Sequence, residues 1–248
     1  MTHVDTSTGV RAPVAEIGEL IKSYPDTLYI LDGVAATGGE YTHMSDMNID
    51  ILFTGSQKAF GVCPGMFVLW ANNKALKRRA EIGGISEYYV DFEKWLPIME
   101  DPSRYFATPA VNLVWAMKKS MEIIQDEGMK ERAARHERNG RAMQKAFENM
   151  GFTVLAKPEC RASTLSCLIY PEGISDADFR AKLSEKGVVI AGALAEFAGK
   201  ACRVGHMGNI DSDLLISVIA TMENTLRASG VNVEVGCSVA AFTKALEG

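Results

Sequence analysis

The sequence predicts an α/β protein. Short apolar runs that end in turn residues alternate with helix-length connections, and amphipathic helical patterns with capping signals follow them. Three such runs lie in the first hundred residues, at positions 28–31, 49–53 and 66–70. The character changes near residue 100, so we divide the chain into a first α/β portion, residues 1–100, and a smaller α/β domain, residues 101–248.

Residues 13–23 carry Val14, Ile17, Leu20 and Ile21 at helical spacing, and Pro13 opens them. The run at 28–31 ends in Asp32-Gly33 and reads as a buried strand. The run at 49–53 ends in Thr54-Gly55-Ser56, and 66–70 is a third strand. Residues 112–126 are helical, with Leu113, Met117 and Ile124 near one stripe, and Gly128 interrupts them. A highly charged helix at 130–150 stops before Gly151. Residues 152–155 and 164–170 are strand-like. Ser175 and Asp178 form a capping-box start for a helix to Lys186. Residues 187–190 and 201–204 are again strand-like, and Asp211 caps a final amphipathic helix through Leu214, Leu215, Val218, Ile219 and Met222.

Composition excludes several classes. A net charge of -5 with scattered basic residues argues against a nucleic-acid or anionic-membrane surface, which needs a concentrated positive patch. No apolar run approaches the roughly 20 residues that span a bilayer. The first residues have neither a basic start nor an apolar stretch, so we expect no signal peptide and a cytoplasmic protein. Five cysteines without CxxC spacing (Cys63, Cys160, Cys167, Cys202 and Cys237) read as reduced, buried thiols. The four histidines are far apart in sequence, and we expect no metal site.

Four segments could carry chemistry. Gly55-Ser56-Gln57-Lys58 places a lysine in a small-residue turn just after a buried strand. A poorly solvated lysine there becomes nucleophilic, although a solvated loop lysine is the ordinary reading. Asp32 ends a strand, where ligands bind in open α/β sheets; a turn aspartate before Gly33 is the ordinary reading. Thr6-Ser7-Thr8-Gly9-Val10 offers hydroxyls for a phosphate or polar ring substituent, or simply caps the helix at Pro13. Arg203, within the apolar segment at 201–204, is costly unless it meets an anion, either a substrate carboxylate or a structural acid. His206 reads as packed or hydrogen-bonded.

Together these segments resemble one family. Thr6-Ser7-Thr8-Gly9-Val10, Asp32-Gly33-Val34 with Gly38-Gly39, Ser56-Gln57-Lys58, Tyr105-Phe106-Ala107-Thr108-Pro109 and Arg203-Val204-Gly205 fall in the order of class V, fold-type I aminotransferases. The alanine–glyoxylate and serine–pyruvate (serine–glyoxylate) branch is most similar. The resemblance implies the C-terminal part of a large domain with a mostly parallel sheet and flanking helices, plus a small α/β domain. It implies pyridoxal 5'-phosphate (PLP) as cofactor and amino-group transfer between a small amino acid and a 2-oxo acid. Lys58 would bond the cofactor and shuttle the α-proton, and Asp32 would pair with the pyridine nitrogen. Val34 would pack under the ring, Thr6 would bond the ring oxygen or nearby atoms, and Gln57 would approach the phosphate. Tyr105 and Thr108 would reach the phosphate of a neighbouring subunit's cofactor. Arg203 would hold the substrate carboxylate.

The family carries a long segment ahead of the Thr2-His3 position, with further strands, a phosphate turn and a stacking aromatic. We therefore expect a second polypeptide that supplies it, in an oligomer with sites at the interface. Two rival functions fit the residues less well. A non-catalytic assembly subunit is disfavoured because Asp32, Lys58 and Arg203 occur together. Cysteine desulfuration needs a cysteine on a mobile loop, which neither Cys160 nor Cys202 has, and usually a histidine where Gln57 stands.

Overall fold

A computed structural model describes residues 1–247. After α1 (Val14–Ile21), three strands form the first sheet in the order β1 (Ile30–Asp32), β2 (Ile51–Gly55), β3 (Phe67–Ala71). β1 and β2 are parallel and β3 is antiparallel to β2, so the parallel part of this sheet lies in one pair. Leu31, Ile49 and Leu52 pack with Val14 and Tyr29 beneath it.

The chain continues through α2 (Asn73–Ile82), α3 (Phe92–Glu100), α4 (Val111–Glu127) and α5 (Met129–Asn149). A second sheet follows, wholly antiparallel, in the order β4 (Thr153–Val154), β5 (Leu165–Ile169), β7 (Ala201–Gly205), β6 (Ala191–Gly192). α6 (Asp176–Glu185), α7 (Ser212–Ala228) and α8 (Cys237–Glu247) complete it. The largest core joins α5, α7 and α8 to this sheet through Phe147, Leu168, Ile219, Met222 and Phe242, all at 0% exposure. Each such side chain contributes about 1.5–3 kcal/mol by leaving water. α4 packs differently, placing Met117 and Ile124 against Phe60 and Val62 of the first portion.

Local signals account for the expected elements. Ser175 accepts a hydrogen bond from the Asp178 backbone N–H, and Asp211 from that of Leu214, as capping residues should. Gly151, at φ 90°, lets the chain leave α5 in the left-handed region. No side chain caps α1, so the hydroxyls at positions 6–8 are not spent on that helix.

Four readings change. The strand expected at 187–190 is extended chain instead: Val189 is 81% exposed, Val188 and Ile190 pack on the core, and pairing begins at Ala191. α2 and α3 were not legible, because α2 has a weak apolar stripe among charges and Pro97 sits inside α3. The helix starting at Ser212 is not the last; α8 follows it. The thiols are not all buried: Cys167 and Cys202 are, Cys160 and Cys237 are half-buried, and Cys63 is exposed in the loop before β3. No helix among the described residues is long and apolar enough to cross a membrane.

Candidate active site

Because β1 and β2 are parallel, their C-terminal ends face the same way, and two of the expected residues emerge there. Asp32 closes β1 opposite Phe53. Its Oδ1 accepts the Val34 backbone N–H at 2.9 Å, while Gly33 donates to the Phe53 carbonyl at 2.9 Å. A Cβ at position 33 would lie 2.0 Å from Thr37 Oγ1 and 2.9 Å from Leu52 Cδ1, so any larger residue there would have to displace both side chains.

β2 runs into the turn that carries Lys58. Ser56 Oγ donates to the Cys63 carbonyl at 2.7 Å and accepts the Met66 N–H at 3.3 Å. The Val62 N–H returns to the Ser56 carbonyl, and the Gly61 N–H to the Lys58 carbonyl. The hydroxyl of Ser56 thus does inside the turn what a backbone ladder does in a strand, leaving Lys58 half-buried and Gln57 exposed. Gly38 lies against this turn, its ideal Cβ 3.4 Å from that of Ala59.

The third segment is tied to the end of β1 by the His3 N–H, which donates to the Asp32 carbonyl at 2.9 Å, and it packs on the second sheet. Residues 5–10 close a turn through Asp5 N–H to Val10 carbonyl and Gly9 N–H to Asp5 carbonyl. Gly9, at φ 73°, sits so close to β5 that a Cβ would be 3.2 Å from both Cys167 N and Leu165 O. Arg203 on β7 aims its Nη1 at the Thr6 carbonyl, 3.4 Å away, and its Nε at the Gly192 carbonyl, 2.8 Å away. No carboxylate among the described residues pairs with Arg203, so the structural ion pair considered from sequence is not made. Opposite Arg203 in the sheet is Cys167, whose thiol is pushed up by burial and so stays protonated.

Not every expected residue joins this cluster. Val34 is half-buried just behind Asp32, and Thr6 is half-buried in its turn. Tyr105 and Thr108 are exposed, between Arg104 and α4, with no hydrogen bond to the Asp32, Lys58 or Arg203 segments. His206 is buried with Nε2 3.0 Å from Ser166 Oγ, and burial lowers its pKa to about 4, a neutral packed imidazole. The sequence reading missed Arg132 of α5. Its guanidinium is buried, with bonds to the Gly38 and Ala59 carbonyls. Nothing local distinguishes Arg132 from the exposed arginines of that charged helix.

The donor set fits a phosphorylated pyridine aldehyde. A carboxylate with one oxygen already fixed, a lysine at a strand end, hydroxyls on a glycine turn and an arginine with no carboxylate partner among the described residues stand on neighbouring segments.

Comparisons agree with that chemistry. Residues 1–234 match the family described as aminotransferase class-V. An uncharacterized aminotransferase of Methanocaldococcus jannaschii is 37% identical over 245 residues, covering 97% of this chain and 63% of that protein. A serine–glyoxylate aminotransferase of Hyphomicrobium methylovorum is 28% identical over 97% of this chain and 60% of its own length. The crystal structure of ureidoglycine–glyoxylate aminotransferase from Bacillus subtilis superposes with a TM-score of 0.92 at 27% identity, over 100% of this chain and 65% of that one. The chain thus spans a little under two thirds of the length of the proteins it matches.

Proposed function

We propose, on the premise that the chain belongs to the class V aminotransferase family, that it carries the lysine, aspartate and arginine of a transaminase acting on a small amino acid and a 2-oxo acid. The family's cofactor is PLP. The observation that carries the reading is the convergence of three segments on α5: Asp32 and Lys58 follow parallel β1 and β2, and Arg203 lies beside the Thr6 turn with no carboxylate partner among the described residues.

Bound PLP supplies an electron-accepting ring and an aldehyde carbon that exchanges amines. The remaining roles belong to this chain's side chains. Lys58 Nζ would be the nucleophile toward that carbon and would carry the substrate α-proton. Asp32 would hold a proton at the ring nitrogen and so keep its positive charge, and Val34 would pack against the ring. Thr6 and Gln57 offer polar contacts to the ring oxygen and the phosphate. Arg203 binds the substrate carboxylate in a two-toothed fork, which fixes the α-carbon relative to Lys58. Tyr105 and Thr108 stand on an exposed segment and would serve a neighbouring subunit's site. For the substrates we favour alanine or serine as donor and glyoxylate or pyruvate as acceptor, in line with the glyoxylate-using relatives. We keep the division into portions 1–100 and 101–248, and a cytoplasmic location, as parts of the same proposal.

Apolar surface on the first sheet supports a further covering segment. Phe67 on β3 is 64% exposed and Ile30 on β1 is 41% exposed. The cover would be a segment carrying further strands, supplied either by more of the same polypeptide or by a second polypeptide in an assembly with two copies of each chain. A 248-residue chain that is monomeric and fully active alone would overturn that part.

The central test is direct. PLP is added to the protein, alone and in its assembly, absorbance is recorded, and borohydride treatment is followed by peptide mapping. Fixation at Lys58, lost in Lys58→Ala together with transamination, is expected. Fixation elsewhere, or full turnover by Lys58→Ala without added amine, removes the reading.

A further inference from the structure

We propose that Arg132 is a positioning residue for the reacting lysine: its guanidinium holds the turn that carries Lys58 against the turn that follows Asp32. The inference rests on the transaminase reading and deepens it. Arg132 is 1% exposed. Its Nε donates to the Gly38 carbonyl at 2.7 Å and its Nη2 to the Ala59 carbonyl at 2.8 Å. The first carbonyl belongs to the turn after Asp32, and the second follows Lys58 by one residue. One rigid planar fork thus spans the two turns, and fixing the Ala59 carbonyl fixes the backbone from which Lys58 projects. Nη1 completes the set with Glu127 at 2.7 Å and Asn209 Oδ1 at 3.0 Å.

Stability alone does not explain this arrangement. Glu127 is shared with Arg135, whose Nε lies 2.6 Å from it, so two guanidinium groups lean on one carboxylate. A well-packed apolar side chain is commonly as stabilising as a buried ion pair. What the fork adds is aim. The same stretch of α5 also holds the loop after Arg203. His136 Nε2 accepts the Gly208 N–H at 2.9 Å, and Arg135 donates to the Gly208 and Ile210 carbonyls at 3.0 and 2.9 Å. The segments bearing Asp32, Lys58 and Arg203 therefore meet on one helix.

The test uses the complete, active enzyme with Arg132→Lys and Arg132→Met. Lysine keeps the charge but lacks the flat fork, so it cannot hold both carbonyls in one plane. We expect kcat to fall roughly 10- to 100-fold while KM for the amino acid changes less than about twofold. We also expect the pH midpoint of the Lys58-linked absorbance to move. Amide hydrogen exchange should quicken at Gly61 and Val62, whose bonds close the Lys58 turn, but not in β2. Arg132→Lys should retain more of each property than Arg132→Met; should Arg132→Met fail to fold, Arg132→Lys decides. A lower melting temperature with kcat, pH midpoint and local exchange unchanged would make Arg132 a stability residue and overturn the inference alone. Failure of the unmodified enzyme to bond PLP at Lys58 would overturn the transaminase reading and this inference with it.

Discussion

Arg203 Nη1 lies 3.4 Å from the carbonyl oxygen of Thr6, 197 positions earlier in the chain. The contact joins the strand of the second sheet to the first hydroxyl turn. It satisfies one guanidinium edge with neutral backbone, leaving the positive charge for an incoming anion.

Arg203→Ala should therefore raise KM for both the amino acid and the oxo acid while PLP affinity changes little. Truncating one partner of such a charged pair costs roughly 2–5 kcal/mol, at least about 30-fold in affinity. Arg203→Lys should recover only part of it, because the ammonium lacks the fork. Steady-state kinetics with both substrates check this, and unchanged KM values contradict the assignment.

Acid should destabilise the fold above the range where carboxylates titrate. His3, His136 and His206 each have a pKa lowered to about 4, mainly by burial, against 6.5 for the ordinary group. Between those values the unfolded chain binds more protons than the native one, so stability rises with pH across the window. It is complete above about 6.5 and is lost as pH falls toward 4, by roughly 1.4 kcal/mol per pH unit for each histidine. Urea unfolding at pH 7, 6 and 5 measures the slope. His206→Gln should reduce it by one histidine's share, and an equally steep variant would show that His206 does not contribute.

Gly140 lies inside α5, where alanine is intrinsically favoured by about 1 kcal/mol. Here Gly140→Ala should destabilise instead. The new Cβ would stand 2.7 Å from the Ser163 carbonyl oxygen and 2.9 Å from Ser163 Cα, backbone that cannot turn aside. Overpacking of this kind costs typically 1–3 kcal/mol. Thermal unfolding decides, and a raised melting temperature would show that Ser163 can move.

Glu223 of α7 caps the start of α8. Its Oε1 accepts the Gly236 N–H at 2.6 Å and its Oε2 the Ser238 N–H at 2.9 Å. Glu223→Ala leaves the buried Ser238 N–H and the half-buried Gly236 N–H without this partner and should cost about 1–3 kcal/mol, with Glu223→Gln intermediate. Protease sensitivity near Cys237 should rise in parallel. Wild-type stability in Glu223→Ala would mean that water replaces the carboxylate.

The sequence by itself determined the strands that flank the site and the residue types at their ends. Apolar runs closing on Asp32-Gly33 and Gly55-Ser56 are local patterns: a strand needs its alternation or apolar run, and a turn needs its small residues. The caps at Ser175 and Asp211 were legible for the same reason, each bonding a backbone N–H three residues ahead. Only the tertiary structure decided what is made across distance. The Glu223 cap on α8, the bond from Arg203 to the Thr6 carbonyl and the grip of Arg132 on Gly38 and Ala59 join residues from 13 to 197 positions apart. Arg132 reads in sequence like any arginine of a charged helix. It is set apart by burial, and burial is a property of what packs around a residue rather than of its neighbours along the chain.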